Sequence, residues 1–247
     1  MKRQIWQRLT RPPTLKGCDL FLTVGLAGLW YLAVLSRPAL MNLQCSKDPT
    51  ACTRESVFML DRFSLGMENH DADAYSFTTQ NTAGALAIAL PPLWIGALAI
   101  GGRILPFTAL IAVGTDFMIL LQSIAWNGVI TEALRLLVQR PRPFVYNDPG
   151  RLGAQPSHYT SFISGHTSFT ATAGASLVFT LAGRGAPLLL TAGIATLTTA
   201  LVIATGVFRI LAGRHFMTDV LIGALVGLLI SFTVAFFHRL RVKIKNA

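Results

Sequence analysis

Charge is what this chain has least of. Asp, Glu, Lys and Arg make up 13% of its 247 residues, about half the ~25% of an average soluble domain. Most of the molecule therefore has no solvated, charged surface. Acid is scarcest, with 11 Asp and Glu against 21 Lys and Arg. No internal repeat or low-complexity tract is present. Cysteine is limited to 3 residues, and Cys18 has no apolar run before it of the kind that precedes a lipid anchor. The first apolar stretch does not read as a cleaved secretion signal either. It is too long for a signal core, and no small-x-small cleavage site follows it.

Apolar sequence fills the chain instead. It makes up 52% of the residues and is gathered into runs at 19–36, 83–101, 106–130, 168–182, 187–208 and 220–237. Most approach or exceed the ~20 residues a helix needs to cross a bilayer. The run at 168–182 is the exception: short and rich in Ala, Gly, Ser and Thr, a composition for packing against other helices rather than lipid. The expected fold is all-α, an integral membrane bundle of six transmembrane helices.

The net charge of +10 would suit nucleic acid, but its placement does not. Lys2, Arg3, Arg8, Arg11 and Lys16 stand without acid in 1–17, and Arg239, Arg241, Lys243 and Lys245 without acid in 239–247. Arg103 and Arg184 mark the two shortest connections. Basic segments beside membrane helices stay cytoplasmic. Both tails and both short turns are therefore expected inside, which an even number of spans allows. The expected organisation is a basic tail 1–17, one membrane domain 18–238 and a basic tail 239–247.

Residues 39–82 form an acidic outer segment, long enough to act as a lid. Cys45 and Cys52 lie seven apart within it. In an oxidising compartment they would close a small loop, and the alternative is two free thiols. Glu68, His70, Asp71 and Asp73 cluster nearby, but without a recognised metal-ligand spacing. They are expected to be solvated, and no metal or other cofactor is expected. His70, His158 and His238 read as ordinary surface residues.

The third run carries a polar stripe. Asp116, Ser123, Asn127, Thr131 and Arg135 recur at steps of seven, four, four and four, which keeps them on one helical face. That face should look into the bundle. With Arg135 at the outer surface, Asp116 falls roughly 28 Å away at the helical rise. Such a depth suits a structural hydrogen-bonding role.

Chemistry-bearing residues gather in the outer segments. Residues 209–219 read R-I-L-A-G-R-H-F-M-T-D. One helical turn would put His215 and Asp219 on one face. There the carboxylate can accept a hydrogen bond from one imidazole nitrogen and leave the other to attack or to move a proton. Arg209 adds a planar cation suited to phosphate oxygens. The second outer segment sets Arg135, Arg140, Arg142 and Arg151 against only Asp148. It ends in Ser164-Gly165-His166-Thr167, where a helix start offers N–H groups to an anion. Arg135, Arg142 and Arg209 can neutralise a phosphoryl group, and Ser164 and Gly165 can complete its cradle. Of His166 and His215, one can attack phosphorus while the other protonates the leaving oxygen.

In these residues the chain resembles the type 2 phosphatidic acid phosphatases. The family pattern is K-x6-R-P, then P-S-G-H, then S-R-x5-H-x3-D. Here it reads Arg135-x6-Arg142-Pro143, Ile163-Ser164-Gly165-His166 and Phe208-Arg209-x5-His215-x3-Asp219. The resemblance covers roughly residues 80–235 and implies a metal-independent phosphatase with its site at the outer, periplasmic end of the bundle. His215 would be the nucleophile, Asp219 its orienting partner and His166 the general acid. Arg135, Arg142, Ser164, Gly165 and Arg209 would hold phosphate. The substrate would be a phosphorylated lipid of the bilayer and the location a bacterial inner membrane. Arg135 for lysine, Ile163 for proline and Phe208 for serine depart from the pattern without removing nucleophile or acid. The rival readings are a phosphotransferase of the same family and a non-catalytic transporter or flippase for an anionic lipid.

Overall fold

The computed structural model describes residues 16–244, with side chains placed through His238. Lys2, Arg3, Arg8, Arg11 and Lys245 of the expected basic tails lie outside the described residues, as do the side chains of Arg239, Arg241 and Lys243. All regular structure among the described residues is helical. Six long helices follow in order: α1 Gly17–Leu40, α2 His70–Ile100, α3 Pro106–Val138, α4 Gly165–Gly183, α5 Leu188–Leu211 and α6 Met217–Ile244.

Five of these are long and apolar enough to cross a membrane, and α4 is the one that is not. The six expected spans thus appear as five lipid-compatible helices and one interior helix. The composition of α4 explains this. Its Thr167, Ser168, Thr170, Ala173 and Gly174 are all buried, because α4 packs against α2, α3, α5 and α6 at once. Small side chains let four helices approach it closely. A Cβ on Gly223 of α6 would lie 2.8 Å from the Ser164 carbonyl oxygen, and one on Gly227 would strike that of Ser168. α1 sits outside this group and packs on α3.

The polar stripe of α3 faces inward: Asp116, Ser123, Asn127 and Thr131 are all buried. Ser168 of α4 donates a hydrogen bond to Asn127. At the end of α3 nearest its start, Arg184 donates to both carboxylate oxygens of Asp116, at 2.6 to 3.1 Å, and to the Ala112 carbonyl at 3.0 Å. The basic turn at Arg184 is therefore a neutralised clamp between α3 and the end of α4. Its charge is spent inside the protein rather than on headgroups. His238 corrects another expectation. It is buried on α6, with Nε2 2.8 Å from Gln122 Oε1 of α3.

The other end of the bundle is where the outer connections converge in space. α1, α3 and α5 end there and α2, α4 and α6 begin there, joined by contacts among Arg37, Glu132, Asp73, Arg209, Ser164 and Asp219. Two segments of short helical turns and loop cover it. The first, between α1 and α2, is closed by a Cys45–Cys52 disulfide. Both cysteines are buried with Met41, Phe144, Val145 and Tyr159, so this segment packs on the second, between α3 and α4.

Candidate phosphate-binding site

His215 lies in the short link between α5 and α6 and is almost wholly buried. Gly213 shapes that link. Its φ is +66°, and a Cβ there would strike the Met67 carbonyl oxygen of the first outer segment. The His215 Nδ1 lies 2.7 Å from the Ser161 carbonyl oxygen. A carbonyl only accepts, so Nδ1 carries the proton and Nε2 keeps its lone pair. Burial, and then the guanidiniums of Arg209, Arg142 and Arg135, hold the imidazole well below the ordinary histidine value. It is neutral at neutral pH.

Asp219 does not bond His215 directly, as the four-residue spacing suggested. The two are 3.9 Å apart, Nδ1 to Oδ2, beyond hydrogen-bond reach. The reason is local: His215 precedes α6, whereas Asp219 sits in its first turn. Asp219 Oδ2 accepts from the Phe216 amide at 2.9 Å, which caps that turn, and from Ser161 Oγ at 2.5 Å. Oδ1 accepts from Arg140 at 2.7 Å. Asp219 thus holds Ser161, whose carbonyl holds His215. The Asp219 carbonyl also accepts from the Ser164 amide at 3.0 Å, tying the link to the start of α4.

Ser164 caps α4. Its Oγ is 2.9 Å from Thr167 Oγ1 and accepts from the Thr167 amide at 3.4 Å. Gly165 and His166 follow, in the turn whose N–H groups have no intrahelical acceptor. Gly165 has a steric role as well, because a Cβ there would lie 2.5 Å from Arg135 Nη2. The His166 ring meets Phe77 of α2 edge-on, with centroids 4.4 Å apart.

Arg142 and Arg209 are each gripped by one terminal nitrogen and Arg135 by both, its Nη2 donating to the Ile163 carbonyl at 3.4 Å. Arg135 Nη1 donates to Glu132 at 2.7 Å, and Glu132 also receives Arg37 of α1. Arg209 Nη1 donates to Asp73 at 2.5 Å and to Ser76 at 3.3 Å. Arg142 Nη2 donates to Thr160 at 2.9 Å. In all three, Nε is shut off from solvent without a hydrogen-bond partner, and so is Nε2 of His166. These are four of the eight such side-chain atoms among the described residues. An unmet buried polar atom costs about 1–3 kcal/mol, so their concentration marks a place built to receive hydrogen-bond acceptors.

Arg135, Arg142, Ser164, Gly165, His166, Arg209, His215 and Asp219 are therefore brought together at one end of the bundle. Five residues of this network were not picked out as site residues from sequence. Ser161 and Asp61 gave no signal, because their partners are far away in the chain, and Glu132 was passed over although Arg135 stands one helical turn on. Arg140, seen only as part of a basic segment, bridges Asp219 to Asp61 and covers the Phe216 ring at 3.9 Å. Asp73 was set aside as a solvated acid, yet it pairs with Arg209 and Arg214. His70, by contrast, is exposed, and among the described residues no group of three His, Cys, Asp or Glu is placed to share a metal ion.

Comparison with known families matches residues 116–243 to the model described as PAP2 superfamily. The match takes in most of α3 and runs on into α6, and it leaves out α1, the first outer segment and α2. Comparison with curated proteins and with solved structures returns no match.

Proposed function

The chain belongs to the PAP2 superfamily, whose members are generally phosphatases acting on phosphorylated substrates, and on that premise we propose that it is a membrane lipid phosphatase working through a phosphohistidine. The observation that carries this reading is the set of four unmet nitrogens, from Arg135, Arg142, Arg209 and His166, beside a neutral His215 with its Nε2 lone pair free.

The chemistry follows from the geometry. Three guanidiniums meet the phosphoryl oxygens, with the Gly165 end of α4 adding N–H groups. His215 Nε2 attacks phosphorus, and the bond to the lipid oxygen breaks as His166, which takes up a proton as the phosphate anion binds beside it, gives that proton to the oxygen. Water then attacks phosphorus, His166 takes its proton, and the P–N bond breaks to release phosphate and neutral His215. The charge to be stabilised is met by arginines, so the step needs no metal ion. Phosphatidic acid, phosphatidylglycerol phosphate, undecaprenyl diphosphate and lipid A phosphates are the candidate substrates. The tail of such a lipid stays in the bilayer while its phosphate enters the end of the bundle.

We assign residues 18–238 to this domain, with 39–82 lying over the site. The buried Cys45–Cys52 bond supports an oxidising, periplasmic side for the site, and the basic tails support cytoplasmic termini in a bacterial inner membrane. The test is phosphate release from a panel of lipid phosphates by the detergent-purified protein, with a metal chelator present and His215→Ala alongside. Chelator-resistant release that disappears in the variant supports the reading. Release that persists in the variant, or that the chelator abolishes, contradicts it.

A further inference from the structure

The 3-10 turn Met59–Ser64 in the first outer segment has two faces. Asp61 and Ser64 are fully buried, whereas Phe58, Met59, Leu60 and Phe63 are between 48% and 71% exposed. The inward face is fixed. Asp61 accepts from Arg140 at 2.8 Å and from the amide and hydroxyl of Thr218 at 3.0 and 2.6 Å. Arg62 clamps the backbone behind it, donating to the carbonyls of Val57 at 2.9 Å and Glu55 at 3.1 Å. The apolar side chains cannot turn inward without breaking this set. Earlier in the same segment the exposed residues are mostly polar, including Asp48, Thr50, Thr53, Arg54 and Glu55.

Position decides what covers the apolar face. Thr218 belongs to the first turn of α6, a helix of membrane-spanning length and apolarity. The exposed side chains that follow it are Leu221, Ile222 and Leu225. The turn is therefore level with the point where α6 enters the bilayer, and its apolar face continues the lipid-facing surface of that helix. We propose that Phe58, Met59, Leu60 and Phe63 dip into the lipid leaflet at the site end of the bundle. They would anchor the outer segment in the membrane beside the site. Aromatic and long apolar side chains on a short element suit the boundary between headgroups and acyl chains. The anchor is joined to the site, because Arg140 binds Asp61 with one nitrogen and Asp219 with another. Asp61 keeps its bonds to Arg140 and Thr218 whether or not the apolar face is inserted, so on the lipid-phosphatase reading insertion would favour substrates presented in the leaflet without altering the chemistry.

The test uses the full chain in vesicles of phosphatidylethanolamine and phosphatidylglycerol. Single nitroxide labels go on Met59→Cys, Phe63→Cys and, as an aqueous control, Thr53→Cys, each in a Cys18→Ser background that keeps the disulfide. Collision with oxygen should exceed collision with a water-soluble nickel chelate at 59 and 63, and the order should reverse at 53. Nickel-dominated collision at 59 and 63 would overturn the proposal. Protection from both reagents with an immobilised label would also overturn it, in favour of a protein partner. As a second arm, Phe58→Ser/Met59→Ser/Phe63→Ser should raise the apparent KM for a vesicle-borne lipid phosphate at least threefold. Hydrolysis of a water-soluble phosphate monoester should be unchanged. Equal loss on both substrates counts against the anchor. A wild type that hydrolyses neither defeats the phosphatase reading and leaves the collision result to decide the anchor.

Discussion

His215 and Asp219 are joined through Ser161 rather than to each other. The Ser161 carbonyl accepts from the His215 ring, and the Ser161 hydroxyl donates to Asp219. Asp219 thereby governs the orientation of the histidine at one remove. It also has a second occupation, as the partner of Arg140 and the cap of α6.

This division of labour separates two variants. Ser161→Ala keeps the carbonyl and loses one hydrogen bond, worth about 1 kcal/mol. Its kcat should fall roughly fivefold, with thermal stability nearly unchanged. Asp219→Ala leaves Arg140 without one of its two acids and uncaps a helix. Breaking a buried pair costs about 3–5 kcal/mol, so both the melting temperature in detergent and kcat should drop sharply. A Ser161→Ala enzyme with unaltered kcat would show that the serine bridge does not orient His215.

The pH dependence has a fixed sign. His215 is held well below the ordinary histidine value by burial and by Arg209, Arg142 and Arg135, so the acid limb of kcat/KM assigned to it should fall below about pH 6.5, the value of a free histidine. Arg142→Gln removes one cation and should move that limb to higher pH as well as lower the rate. A lower rate with an unmoved limb would contradict the electrostatic account. Stability follows the same linkage. As pH falls below about 6.5 the unfolded chain binds a proton at this position and the folded chain does not, so the contribution of His215 to stability is lost toward acid.

Gly165→Ala tests the packing of the cradle. The added methyl would displace the Arg135 guanidinium, and a misplacement near 1 Å can cost about 10²-fold in rate. We expect kcat/KM to fall by about that factor with little change in melting temperature. Near-normal kinetics would mean that Arg135 is not bound to this geometry.

The far end of the bundle offers a control. Asp116→Ala should destabilise the protein by about 3–5 kcal/mol by stranding Arg184, read as a lower melting temperature in detergent. Activity per folded molecule should be retained. Loss of activity at unchanged stability would instead give Asp116 a part in the chemistry.

The helical bundle was legible because its signals are local and repeated. Apolar runs of spanning length gave five helices, and the small-residue run at 168–182 gave α4 its interior place. The inward stripe of α3 followed from helical periodicity alone. The candidate site was legible to the extent that each residue stood in a short pattern, as His215 and Asp219 did. What the sequence hid were pairings across long separations. Asp73 and Arg209 are 136 positions apart, and Asp61 and Arg140 are 79 apart, so neither acid carries a mark of its partner. The direct His215–Asp219 bond was misjudged for a related reason: the four-residue spacing holds only within a helix, and α6 begins after His215.

The most direct test of the central claim is a search for the covalent intermediate. The protein carrying His166→Ala, which lacks the group that activates water, would be mixed with a 32P-labelled lipid phosphate carrying a good leaving group and quenched rapidly in alkali. The account predicts an alkali-stable, acid-labile label on the peptide containing His215, absent when His215→Ala is added. Turnover without any labelled His215, or label on another residue, would contradict it.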